Sequence, residues 1–146
     1  MAWFYYVRQG ALLRADGVLV AICHSGHGDA MNEPARQAER SVGPIPVGRY
    51  TIGPAHTHPT CGPVAMRLPP QPGTETFGRS GFLIHGANRT PDPTDDSEGC
   101  IIADRWVREA VAASTDRDLE VVAEWPASRP LDPLYVEAEP VGPARG

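Results

Sequence analysis

Phe82-Leu83-Ile84-His85-Gly86 and Ser97-Glu98-Gly99-Cys100-Ile101-Ile102 decide the fold of this chain. The first reads as a buried strand ending in an imidazole, and the second as a short apolar element opened by a thiol. His85 precedes Cys100 by fifteen positions, too far for local contact but natural for two strand ends joined by a loop. A thiol becomes a useful nucleophile when a base takes its proton and backbone N–H groups wait for the oxyanion. In this pattern Cys100 is the nucleophile and His85 the base. The Gly86 carbonyl is placed to accept the Nδ1 proton and fix the tautomer, while Ser97, Gly99 and Cys100 shape the oxyanion pocket.

Outward from this pair the chain is short strands and turns. Residues 3–8 and 18–24 read as strands of an antiparallel meander turning at Gly10 and Ala15-Asp16-Gly17. Residues 25–42 are polar and read as a long surface loop with a helical turn near Pro34. Gly43-Pro44-Ile45-Pro46-Val47-Gly48-Arg49-Tyr50 leads rigidly into another strand, and residues 62–68 form the next. Asp104 is a good N-cap for one helix carrying Trp106, Val107, Ala110 and Val111 at helical spacing. Residues 119–125 alternate as a last strand, and five prolines in residues 126–146 predict an extended tail after a domain spanning 1–125.

Composition narrows the function classes. Gly 15 and Pro 16 favour turns over long helices. The formal net charge of −5 argues against nucleic acid or an anionic membrane surface as partner. No run is long and apolar enough for a membrane span, and the aromatic N-terminus reads as a strand, not a signal peptide. Delivery out of the cytoplasm would then need another machine. Cys23, Cys61 and Cys100 are an odd set, so at least one thiol stays outside any internal disulfide. Cys23 reads as a small buried hydrophobe, and a Cys23–Cys61 pairing stays open. His56, His58 and Cys61 put ligand atoms close together, but no second ligand pair matches them, so no metal or other cofactor is expected.

The segments His24-Ser25-Gly26, the residue 43–50 block, Gly78-Arg79-Ser80-Gly81-Phe82-Leu83-Ile84-His85-Gly86 and Ser97-Glu98-Gly99-Cys100-Ile101 resemble L,D-transpeptidases of the YkuD type. The chain is most similar to their small branch of antibacterial effectors delivered by type VI secretion. The resemblance implies a mainly β, sandwich-like fold of mixed sheets with one or two short helices. It implies Cys100, His85 and the Gly86 carbonyl as the catalytic set. It also implies a peptidoglycan stem tetrapeptide as donor, attacked at the carbonyl of its third residue. Release of D-alanine to water is L,D-carboxypeptidase activity, and transfer to a D-amino acid is exchange transpeptidation. The product would be toxic in a target-cell periplasm, which brings in a cognate immunity protein and a secretion apparatus as partners.

Many relatives in the wider family carry His where this chain has Glu98, and Arg where it has Ile102. The substrate carboxylate must then be held elsewhere, and Arg79 fits because guanidinium binds carboxylates bidentately. A structural salt bridge is the other use for it. Ser25 is a further substrate-side residue. The acidic loop of Asp92, Asp95, Asp96 and Glu98 either binds a substrate ammonium group, chiefly through Asp95 and Asp96, or only solvates the loop. Two rival readings remain. A sortase-like cysteine transpeptidase would use Arg108, although Ser97-Glu98-Gly99 does not fit the Thr-rich strand before a sortase cysteine. A non-catalytic wall-binding or secretion-associated module would keep the fold without the chemistry.

Overall fold

A computed structural model describes residues 1–87 and 99–126. It is mainly β, with two mixed five-stranded sheets and a single α-helix among the described residues. The first sheet has the order β3-β2-β1-β10-β5, from β1 (Ala2–Tyr6), β2 (Ala11–Leu13), β3 (Leu19–Ile22), β5 (Gly48–Thr51) and β10 (Asp118–Val122). The second has the order β4-β9-β8-β7-β6, from β4 (His24–Ser25), β6 (His56–His58), β7 (Gly62–Arg67), β8 (Leu83–His85) and β9 (Ile101–Ile102).

The alternation in β1 explains why the first sheet is buried on both faces. Trp3 and Tyr5 point into the main core with Leu12, Tyr50, Leu119 and Val121. Phe4 and Tyr6 point the other way and pack with Leu13, Leu19 and Trp125. Tyr6 meets Trp125 edge-on at 5.1 Å between ring centroids. Trp125 is therefore not the end of a strand. The pairing stops at Val122, and Trp125 turns back to exchange hydrogen bonds with the Gln9 side chain.

The second sheet contributes Met66, Ile84 and Ile101 to the same core. Met66 pairs with Ile84 in an antiparallel ladder, and Ile84 pairs with Ile101 in a parallel one. The α-helix α1 (Arg105–Ala113) then carries the chain back to β10, which runs parallel to β1. Asp104 occupies the N-cap position, as its residue type predicts, but its side chain makes no capping bond. Val107 and Val111 face the core, whereas Trp106 is exposed.

Residues 25–42 form a mostly exposed or half-buried loop with a helical turn at Pro34–Arg36, as expected, but the loop is anchored at its start. Ser25 is fully buried, pairs with Ile101 in β4, and is tied at both backbone atoms to Asn32. Two 3₁₀ turns, Gly28–Ala30 and Pro34–Arg36, follow and bury Ala30 and Pro34. Local polar bonds, which hydropathy does not register, hold this segment. No disulfide forms among the described residues, which leaves Cys23 and Cys61 unbridged. His56 and His58 lie on β6, and His58 Nδ1 accepts from the Thr60 and Cys61 amides, so that ring is engaged in a turn.

Burial pushes the Cys23 thiol up to about 12, with Asp104 adding to the shift. The folded state thus keeps this proton after the unfolded chain has begun to lose it near pH 8.5. The contribution is complete below that value and shrinks by up to about 1.4 kcal/mol per pH unit above it. Urea unfolding at pH 8 and pH 10 should show a fall in stability about 1–2 kcal/mol larger for the native chain than for Cys23→Ala. Equal losses would remove Cys23 as the cause.

Candidate active site

Strand parity builds the site. Ile84 and Ile101 face the core, so their neighbours on β8 and β9 face the opposite side of the second sheet. His85 pairs with Ile102, and Ile102 with His24, which sets these three side chains in one row on that outer face. Cys100, immediately before β9, lies on the same face as Ile102 and one pleat along from it. A diagonal of this kind separates Cα atoms by roughly 8 Å, within the reach of an imidazole toward a thiol. The backbone of His85 is fixed as well, since its carbonyl accepts from the Ala103 amide at 2.9 Å.

The imidazole is held in one tautomer. His85 Nδ1 lies 2.6 Å from the Gly86 carbonyl oxygen. A carbonyl only accepts, so Nδ1 carries a proton, and in the neutral ring the lone pair is on Nε2. Both groups are sheltered, His85 at 2% and Cys100 at 8% exposure. The sulfur also lies 3.9 Å from the Gly81 carbonyl, a contact the sequence gave no reason to single out.

Arg79 organises the approach to Cys100. Its guanidinium donates to the backbone carbonyls of Gln37, Pro44 (2.9 Å) and Gly43 (2.8 Å), and it stacks over Phe82 at 5.5 Å. Burial lowers its pKa from the ordinary arginine value, while Tyr50 and Cys100 oppose that shift through their negative charge when ionised. The Arg79 cation is therefore electrostatically coupled to the sulfur. Those carbonyls occupy the fork that a substrate carboxylate would need, so this arginine is built into the scaffold. Gly99 has φ +107, and a Cβ there would collide with the Arg79 guanidinium and sit 3.0 Å from Phe82. Only glycine lets the chain pass this stack on its way to the thiol.

The residue 43–50 block is the other half of the frame. Gly43 and Pro44 receive Arg79, Pro46 O accepts from the Tyr50 hydroxyl at 2.7 Å, and the Ile45 amide donates to Ser25 Oγ at 2.9 Å. Ser25, expected on the substrate side, is thus fully buried with its hydroxyl engaged in holding this block. Arg108 is likewise buried, giving its donors to Ala103 O and Pro63 O. A Cβ on Gly86 would come within 2.7 Å of it. Ser97, Glu98, Asp92, Asp95 and Asp96 lie outside the described residues. No cluster of three metal-binding side chains occurs among the described residues, and none of their helices is long and apolar enough to cross a membrane.

A family model, the Tlde1 domain, matches residues 20–123. The chain belongs to the Tlde1 domain family. That family is associated with type VI secretion effectors. No curated protein matches this Tlde1 domain. Among solved structures it is similar to Bd1075 of Bdellovibrio bacteriovorus, at 14% identity and a TM-score of 0.50, over 84% of this chain and 47% of that one. The present chain thus spans about half the length of the Bd1075 chain, and the likeness is one of fold.

Replacing Arg79 should cost stability before it costs chemistry. In Arg79→Met, the carbonyls of Gln37, Gly43 and Pro44 lose their donor, at about 1–3 kcal/mol for each that stays dry. Urea unfolding should show a loss of roughly 3 kcal/mol or more, with Arg79→Lys recovering only part because an ammonium cannot fork. A loss below about 1 kcal/mol would show that water or neighbouring groups replace it.

Proposed function

We propose that this Tlde1 domain is a cysteine-dependent peptidoglycan enzyme that acts on stem tetrapeptides as an L,D-carboxypeptidase, an L,D-transpeptidase, or both. The observation that carries this reading is the tautomer lock at His85, on the same sheet face as Cys100. A histidine with Nδ1–H donated to a carbonyl presents Nε2 as a base, which is what a thiol nucleophile needs.

In the reaction, His85 Nε2 takes the Cys100 proton, and the sulfur attacks the carbonyl carbon of the third stem residue. The carbonyl oxygen gathers negative charge in a pocket built from the Gly99 and Cys100 amides. The tetrahedral centre collapses, the bond to D-alanine breaks, and the leaving amine takes the proton from His85. A thioester remains on Cys100. Water, activated by the same imidazole, releases a tripeptide, whereas a D-amino acid amine forms an exchanged tetrapeptide. Either outcome removes the tetrapeptide donor.

Arg79 serves here as a positioning residue. It fixes the 43–50 block, and its positive charge favours the charge developing on sulfur. Asp95 and Asp96 are assigned to the ammonium group of the third residue's side chain. As an effector of this kind, the protein would act in a target-cell periplasm and be paired with an immunity protein in the producing cell.

Mass spectrometry of tetrapeptide muropeptides, with and without added D-amino acid, tests the reading. The native protein should remove the terminal alanine or replace it. Cys100→Ala should abolish both reactions, and His85→Ala should slow them by about 10²- to 10⁴-fold without unfolding the chain. Turnover by Cys100→Ala at the native rate would end the proposal.

A further inference from the structure

Eight of the ten described arginines have an acidic or carbonyl partner within hydrogen-bonding distance, namely Arg8, Arg14, Arg36, Arg49, Arg79, Arg105, Arg108 and Arg117. Arg40 and Arg67 have none among the described residues. Both border clefts that meet at Ser80, Arg40 in one of about 160 Å³ and Arg67 in one of about 320 Å³. The larger cleft has Pro69, Pro70, Ser80, Gly81 and Phe82 in its wall. Gly81 is the residue whose carbonyl lies 3.9 Å from the Cys100 sulfur, so one wall residue of this cleft touches the thiol.

Strand parity selects Arg67 over Arg40. Met66 faces the core, so Arg67 at the end of β7 faces outward, and it pairs with Leu83. Extending the β8–β9 register by one residue, from the Ile84–Ile101 pair, brings Cys100 beside Leu83. Arg67, Leu83 and Cys100 thus form one cross-strand row on the face that carries His85. Two strand spacings, about 10 Å, separate the first and last. An extended arginine and one amino-acid residue fill that span.

We propose that Arg67 is the specificity residue for the terminal carboxylate next to the scissile bond. It would hold the carboxylate of the leaving D-alanine in the donor, and that of the incoming D-amino acid in exchange. The proposal rests on the tetrapeptide reading above and names the group that reading leaves unrecognised. Arg79 has its fork on backbone carbonyls, and position 102 holds an apolar side chain. A guanidinium with no internal partner, at the edge of an apolar cleft, pairs bidentately with a carboxylate at little reorganisation cost. The apolar wall accepts the methyl group of alanine. An exposed arginine on a strand end is also replaceable without disturbing the core.

The test compares a stem tetrapeptide ending in free D-alanine with the same peptide ending in D-alanine carboxamide. Binding is measured by calorimetry to Cys100→Ala, so that turnover does not enter. The acid should bind about tenfold or more tighter than the amide. Adding Arg67→Gln should bring the two within about twofold, Arg67→Lys should restore part of the difference, and Arg40→Gln should leave it unchanged. In the enzyme with Cys100 intact, Arg67→Gln should raise KM for the acid far more than it lowers kcat. An acid preference that survives Arg67→Gln, or that vanishes with Arg40→Gln instead, overturns the assignment while leaving the catalytic reading intact. An acid preference that depends on Arg67, in a protein whose native form turns over neither peptide, sustains the carboxylate site and overturns the catalytic reading. Binding of neither peptide overturns both.

Discussion

The parallel pairing of Ile84 with Ile101 is the constraint from which the arrangement of the site follows. Both side chains are buried in the core shared by the two sheets, 1% and 0% exposed. Because side chains alternate along a strand, burying these two turns His85, Ile102 and Cys100 to the other face. A slip of one residue in either strand would send the imidazole or the thiol into the core. It would also take an isoleucine out of the shared core and leave a polar group in its place, so burial penalises the slip at both residues. The register that stabilises the sandwich is thus the register that brings an imidazole and a thiol to one face of the sheet.

The second constraint is the supply of donors to irregular backbone. Much of the chain around the site is loop, and loop carbonyls near a core need partners. This sequence has no lysine, and it answers the need with buried and half-buried arginines. Arg79 gathers Gln37, Gly43 and Pro44, Arg108 gathers Ala103 and Pro63, and Arg117 gathers Ile52, Gly53, Val111 and Ser114. A planar fork with several fixed donors suits that task better than a single ammonium. The consequence for function is a division of labour in which some arginines near the site belong to the frame and two remain available to solvent.

Much of this was legible in the sequence, and the failures have physical causes. The strand ending at His85, the strand opening after Cys100, the helix after Asp104 and the mainly β class all follow from short-range pattern. The parallel pairing of β1 with β10 does not, because it joins opposite ends of the chain and leaves no local trace. Residue type puts Ser25 on the substrate side and leaves Arg79 to either a substrate carboxylate or a structural salt bridge. Their burial depends on the residue 43–50 block folding over them, a tertiary fact that overrides residue type. Arg67 escaped notice for the converse reason. On its strand it looks like any outward-facing charge, and its significance lies only in what stands two strands away.

Ile102 ties these strands of argument together. Two positions after Cys100 this chain has Ile102, 5% exposed and paired with His85 on one side and His24 on the other. A guanidinium in that slot would put a fixed cation beside the imidazole. It would disfavour the imidazolium that the proposed mechanism requires of His85. An apolar residue there brings no such repulsion. A carboxylate-binding cation must then stand at a distance from the base yet remain on the same face of the sheet. The outward position at the end of β7, with the apolar Leu83 as spacer, satisfies both conditions. On the proposed reading, the apolar side chain beside the imidazole and the Arg67 guanidinium, which has no partner among the described residues, are two parts of one electrostatic solution.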